Sequence, residues 1–109
     1  MAQTRVVHCK EEPYDIYIGR GRCPRTGKIY NLGNPFSHLD GTLAQFRVAT
    51  RQESIDEFRK WAPTQPHIVA MLEEMRGKTL GCWCKKRSRP LPCHGDVYVE
   101  MIEARWGRG

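Results

Sequence analysis

The sequence has no long apolar segment. Its mean hydropathy is −0.63, and no stretch approaches the roughly 20 apolar residues that a helix needs to span a bilayer. A secretory signal is also missing, because Met1 to Arg5 leads into only the short apolar pair Val6 and Val7. These absences predict a soluble, cytoplasmic protein that does not act at a membrane.

A disulfide framework is not expected either. The five cysteines are an odd number and occur without a secretory signal. Reduced thiols can instead pack in a core, bind a metal or react. The chain has no internal repeat and no second domain, so its length predicts one domain over residues 1–109, with a loose tail over about 106–109.

Acidic residues are in the minority. The chain has 12 Asp and Glu against 18 Lys and Arg, which gives a net charge of +6 and a pI near 9.3. This excess favours an anionic partner, such as a nucleotide or a nucleic acid, although it carries no information about the fold. A basic protein with no nucleic-acid role is the alternative, and no feature of the sequence indicates an oligomeric state.

Apolar periodicity and chain breakers predict an α/β or α+β domain with the element order β-β-α-α-β-α. Thr50 and Glu53 fit a capping box at the start of the first helix, which runs to about Trp61 and is terminated by Pro63. A long loop is predicted from Gly19 to about Ala49, and such loops are usually functional or disordered. The predicted strands cover residues 4–9, 14–18 and 78–84, and the predicted helices cover 51–61, 66–77 and 93–105.

Five short motifs occur along the chain in one order. They are Tyr17-Ile18-Gly19-Arg20, Gly33-Asn34-Pro35-Phe36, Met75-Arg76-Gly77-Lys78, Cys82-Trp83-Cys84 and Cys93-His94-Gly95-Asp96. On these motifs the chain resembles the domain-of-unknown-function family 4326, found largely in bacteria and their phages. The resemblance runs from about Val6 to Ile102, and it implies kinship without implying an activity.

Two segments depart from the family's pattern. The link between Cys84 and Cys93 is longer and more basic than the family's short proline-containing link, and the loop from Arg22 to Leu32 is extended. A site that uses either loop is therefore expected to be reshaped in this member of the family.

Three of the five cysteines lie between positions 82 and 93. On a strand, Cys82 and Cys84 share one face, and Cys93 returns from the next element, so the three could bind one zinc ion with His94 or Cys9 as fourth ligand. The Cys-x-Cys spacing is less typical than Cys-x-x-Cys, and neighbouring ligands at 93 and 94 diverge. Small core thiols are the plain alternative.

A catalytic interpretation rests on Cys93, His94 and Asp96, which lie where the last helix is predicted to begin. Unpaired N–H groups and the helix dipole favour anions there and would depress the pKa of the Cys93 thiol. His94 could act as general acid or base, and Asp96 could orient it or coordinate a cation. The alternative is a plain helix cap with a first-turn charge.

A ligand-binding loop is predicted where the second strand runs into Gly19, Arg20 and Gly21. Arg20 offers a planar fork for phosphate at a strand end, and Asn34 offers an amide for a base or sugar. The stretch is neither a P-loop nor a dinucleotide fingerprint, because its glycine spacing matches neither. Trp83 is predicted to pack in the core, with base stacking as the alternative.

Two functions follow from these motifs. The first is a pocket that binds a nucleotide or nucleic-acid component, in an enzyme of group transfer or hydrolysis. The second is a non-enzymatic, zinc-stabilised module that binds nucleic acid through the basic segments 20–28 and 85–89. The sequence does not decide between an enzyme and a binding module.

Overall fold

The computed structural model describes residues 3–37, 46–88 and 91–107. Its strands are β1 (Arg5–His8), β2 (Ile16–Tyr17), β3 (Phe36–Ser37), β4 (Phe46–Arg47) and β5 (Thr79–Cys82), and its α-helices are α1 (Arg51–Trp61), α2 (Pro66–Met75) and α3 (His94–Trp106). Three of the strands form one sheet, and with the three helices they confirm the predicted order. The short strands β3 and β4 are an addition, because they pair within the segment predicted as a loop.

The main sheet has the strand order β1-β5-β2, and both outer strands run parallel to β5. The carboxyl ends of all three strands therefore meet at one edge, which we call the carboxyl edge, just beyond His8, Tyr17 and Cys82. The carboxyl edge of an open α/β sheet is where ligands usually bind. The topology thus places the end of β5, with its cysteines, at the centre of that edge.

The helices cover one face of the sheet, which we call the helix face. The α1 helix begins as predicted, since the Thr50 hydroxyl accepts a hydrogen bond of 3.1 Å from the Glu53 backbone N–H. Side chains from the sheet and all three helices form the main core, including Ile18, Phe58, Leu72, Leu80, Val97 and Tyr98. Trp106, in the segment predicted as a loose tail, ends α3 and packs against this core.

The opposite face of the sheet, which we call the tyrosine face, carries a smaller cluster of Val7, Tyr14, Tyr17 and Cys23. Alternation along the strands accounts for the division, because Tyr17 and its two chain neighbours point to opposite faces. Gly81 allows this packing, since a Cβ atom there would lie 2.6 Å from the Tyr14 ring. Among the residues described, no helix is both long enough and apolar enough to cross a bilayer.

Candidate functional site

Three cysteines converge at the carboxyl edge. Cys82 ends β5, Cys84 follows two residues later, and Cys93 precedes α3 as its N-cap. Their Sγ atoms all lie within 4.8 Å of one another, and those of Cys82 and Cys93 are 3.5 Å apart. Cys82 and Cys93 are buried, whereas Cys84 is partly exposed. We call these three residues the thiol cluster.

Two local features bring the thiols together. Alternation at the end of β5 turns Cys82 and Cys84 toward the helix face, and the Leu91 N–H donates to the Cys84 carbonyl at 3.0 Å, which returns the chain to the edge. Gly95 then lets α3 begin directly against the sheet, because a Cβ atom there would lie 2.8 Å from Val6 and 2.9 Å from Ile18. The Cys93 thiol is thereby delivered beside the other two.

The spacing suits a thiophilic metal ion. Tetrahedral zinc with Zn–S bonds of about 2.3 Å holds its sulfur ligands about 3.8 Å apart, and the 3.5 Å between Cys82 and Cys93 and the upper limit of 4.8 Å for the cluster lie on either side of this spacing. Within residues 3–37, 46–88 and 91–107, no fourth Cys, His, Asp or Glu ligand atom joins the cluster. Among the described ligands, the cluster therefore leaves one tetrahedral position open.

His94 does not join the cluster, although the sequence offered it as a ligand. Its Nε2 lies 2.6 Å from the Ile18 carbonyl oxygen, and because a carbonyl can only accept, Nε2 must carry the proton. The ring packs edge-on against Phe58 and Tyr98. Burial lowers the pKa of His94, outweighing the opposing effect of the Ile18 carbonyl. His94 thus fastens α3 to the end of β2 as a neutral side chain.

Hydrogen bonds between the thiols shift their pKa values in different directions. The pKa of Cys84 is lowered because the Cys82 and Cys93 thiols donate to it, and the Arg51 guanidinium, 3.5 Å from its Sγ, adds to the effect. The pKa of Cys82 is raised, chiefly by its bond to Cys84, and that of Cys93 is raised by its bonds to Cys82 and Cys84. The expectation of a depressed Cys93 pKa was wrong, because its thiol is a buried donor to other sulfurs.

Asp96 holds the start of α3. Its Oδ2 atom accepts from the Cys93 backbone N–H at 3.1 Å and from the Lys85 ammonium at 3.0 Å. The carboxylate therefore serves as the reciprocal helix cap and ties the basic segment after β5 to the helix. Cys93, His94 and Asp96 are neighbours in sequence, but their side chains turn to three different sets of partners.

The predicted phosphate-binding residues build the loop that passes the carboxyl edge. Arg20 donates from Nε to the Asn34 carbonyl at 2.6 Å and from Nη2 to the Phe36 carbonyl at 2.9 Å. The Asn34 side chain donates to Ser54 Oγ at 2.8 Å and accepts from the Phe36 N–H at 2.9 Å. These bonds fasten the loop to α1, and burial lowers the pKa of Arg20.

The two glycines beside Arg20 have conformational roles. Gly19 faces the Tyr17 hydroxyl so closely that no Cβ atom would fit. Gly21 adopts a positive φ of 73°, which a residue with a side chain rarely does. Both glycines therefore shape the loop that carries Arg20.

The sequence reasoning missed Arg51. Its Nη1 atom lies 3.5 Å from both Cys84 Sγ and the Pro92 carbonyl oxygen. A usable signal existed, because a cation in the first turn of a helix opposes the helix dipole and calls for a local anion. The prediction that Trp83 packs in the core was also wrong, since 47% of its surface is exposed.

Comparison with known proteins identifies the relatives of this chain. The model of the domain-of-unknown-function family DUF4326 matches residues 2–104. The chain belongs to the DUF4326 family. This DUF4326 protein is also 29% identical over 98 residues to an uncharacterized 12.4 kDa protein in the nrdA-td intergenic region of Enterobacteria phage T4, which covers 90% of this chain and 76% of the relative. No solved structure matches this chain.

Proposed function

We propose that this DUF4326 protein binds a thiophilic metal ion, with zinc as the first candidate, through Cys82, Cys84 and Cys93. We further propose that the metal-bearing carboxyl edge binds a nucleotide or a nucleic-acid component. The observation that carries the proposal is the convergence of three Sγ atoms within 4.8 Å of one another.

Charge balance supports a metal over simple packing. Three thiolates around a divalent cation carry a net charge of −1, and the Arg51 guanidinium beside Cys84 offsets it. Without a metal, the Cys82 and Cys93 thiols donate hydrogen bonds to Cys84, which also accepts one from Arg51. A disulfide would use two sulfurs and leave the third aside, whereas one metal ion uses all three.

The open position supports a reactive centre. Structural zinc sites are usually closed by four protein ligands, while catalytic sites have three and keep one position for water or substrate. Zinc-bound water is a nucleophile near neutral pH, which suits hydrolysis or group transfer at a phosphate-bearing substrate. The net charge of +6 favours an anionic ligand.

A non-enzymatic, zinc-stabilised module that binds nucleic acid is the second candidate. It is favoured by the burial of Cys82 and Cys93, because a metal between them would join β5 to α3 as a structural staple. The two candidates share the metal ligands and differ in whether the protein turns over a substrate.

Metal analysis of matched variants tests the proposal. Protein loaded with Zn²⁺ and passed through a desalting column should retain about one zinc per chain. Cys84→Ser should lose it, because one of three ligands is removed. Cys9→Ser is the matched control, since Cys9 is also a partly exposed cysteine but lies outside the thiol cluster. No retained zinc in the unmodified protein, or equal retention in Cys84→Ser, would contradict the proposal.

A further inference from the structure

The Trp83 side chain is fixed by a hydrogen bond and yet remains exposed. It lies between Cys82 and Cys84, with 47% of its surface exposed. Its indole N–H donates to the Tyr17 hydroxyl at 2.7 Å, and the His8 ring meets it edge-on with centroids 5.6 Å apart. An aromatic ring that is fixed on its polar edge and about half exposed can stack a flat ligand at little entropic cost.

One cation lies beside this ring, and further basic residues follow it in the chain. The Lys10 ammonium lies 5.9 Å from the centroid of the Trp83 ring, and the basic residues Lys85, Lys86 and Arg87 follow it in the chain. Within the described ranges, neither Lys10 nor Lys86 has a carboxylate partner at ion-pair distance. These two lysines are therefore available to an outside anion.

Glu11 and Glu12, the acidic residues that follow Lys10 in the chain, are already engaged. Glu12 pairs with Arg5 at 2.8 Å and with Arg87 at 3.6 Å. The Glu11 carboxylate accepts from the Arg87 backbone N–H at 2.9 Å. The local surface thus presents an aromatic ring with free positive charge beside it.

We propose that Trp83, with the Lys10 ammonium beside it and Lys86 three positions later in the chain, is a stacking platform for an unpaired base of single-stranded nucleic acid. An aromatic face stacks any base while cations hold the backbone, and this combination is typical of single-strand binding. A duplex keeps its bases stacked on one another and offers the ring none. Contiguous exposed apolar patches mark protein interfaces, whereas the ring's neighbours here are the Lys10 ammonium, the His8 ring and the Tyr17 hydroxyl.

The platform deepens the nucleic-acid half of the proposed function and rests on it, but it does not depend on the metal half. Alternation at the end of β5 turns Trp83 toward Tyr17 on the tyrosine face, while the cysteines on either side of it turn toward the helix face. The ligand class that follows for this edge is a single strand with at least one free base.

Fluorescence anisotropy with a labelled oligodeoxythymidine tests the platform on the zinc-loaded protein. Trp83→Ala should weaken binding about 5- to 100-fold, as expected for the loss of one stacked base, and Trp83→Phe should retain most of the affinity. Trp106→Ala is the matched control, because Trp106 also lies near guanidinium groups, those of Arg76 and Arg105 at 5.1 and 5.4 Å. We expect less than a twofold change for that control. The duplex of the same length should bind more weakly than the single strand.

The outcomes separate the platform from the proposed function. If the unmodified protein binds the single strand and Trp83→Ala binds equally well, or if the duplex binds as tightly, the platform is overturned and nucleic-acid binding stands. If the unmodified protein binds neither oligonucleotide, both the platform and the nucleic-acid half of the proposed function fall. Zinc content and circular dichroism of each variant establish that a loss of binding is not a loss of fold, and Trp83→Phe keeps the test decisive if the alanine variant misfolds.

Discussion

On the helix face of the sheet three thiols lie side by side, whereas on the tyrosine face Cys23 lies among hydrogen-bond donors from the protein. The Tyr14 hydroxyl and the Cys23 Sγ atom are 3.0 Å apart. Burial raises the pKa of Cys23, but bonds from the Thr26 hydroxyl, from Tyr14 and from the N–H groups of Thr26 and Arg25 outweigh it and bring the pKa to about 7. The thiolate form of Cys23 is therefore stabilised by hydrogen-bond donors within the protein.

The thiol cluster is arranged differently. Among the described residues, the donors that lower the pKa of Cys84 are two other thiols and Arg51. Full ionisation of three neighbouring sulfurs would need a compensating cation, which a divalent metal supplies. The comparison teaches that cysteine burial alone does not indicate a metal site: several sulfurs must also lie together, so that one cation can compensate their charges.

Removal of zinc by a chelator is expected to have the largest effect on stability. Zinc bound only to the folded state at 1,000 times its Kd raises the free energy of unfolding by about 4 kcal/mol. We therefore expect a chelator to lower the stability of the zinc-loaded protein in urea titrations by this order. Cys23→Ser should respond to the chelator as the unmodified protein does, and Cys84→Ser should not respond. An unmodified protein indifferent to chelation would contradict the account.

A pair of glycine substitutions should affect the two faces separately. Gly95→Ala pushes α3 away from Val6 and Ile18, and Gly81→Ala pushes the Tyr14 ring off β5. Each overpacked site should cost about 1–3 kcal/mol of stability. We expect Gly95→Ala to weaken zinc retention, since it displaces Cys93, and Gly81→Ala to leave zinc retention unchanged. The opposite assignment would mean that the metal lies on the tyrosine face.

A pH dependence from Cys23 is expected as well, and it arises from a single group. Its pKa in the folded protein is about 7, below the ordinary value of 9.0, so the unfolded chain binds more protons between these values. Stability should therefore rise with pH from 7 to 9, and the contribution should be lost as the pH falls through 7. The free energy of unfolding against pH, compared between the unmodified protein and Cys23→Ser, measures this, with Cys9→Ser as the control. An equal pH slope in Cys23→Ser would contradict the assignment.

Local rules predicted much of this molecule. The Thr50 cap and the order of helices and sheet strands follow from residue types and periodicity. The strand face shared by Cys82 and Cys84 follows from alternation. Each of these depends on residues close together in the sequence.

What the sequence could not supply depends on contacts between distant segments. His94 turns to the Ile18 carbonyl, 76 positions away, and no local pattern encodes that choice. Arg20 is drawn to the Asn34 and Phe36 carbonyls in the same way. Trp83 is exposed because Tyr14 and Tyr17 already fill the tyrosine face, which only the register of the sheet determines.

X-ray absorption at the zinc K edge of the loaded protein tests the central claim most directly. The account predicts three sulfur neighbours at about 2.3 Å, with one lighter oxygen or nitrogen neighbour in the open position. It also predicts that Cys23→Ser leaves this spectrum unchanged. A coordination shell made only of nitrogen and oxygen, or one with fewer than two sulfurs, would show that the thiol cluster is not the metal site.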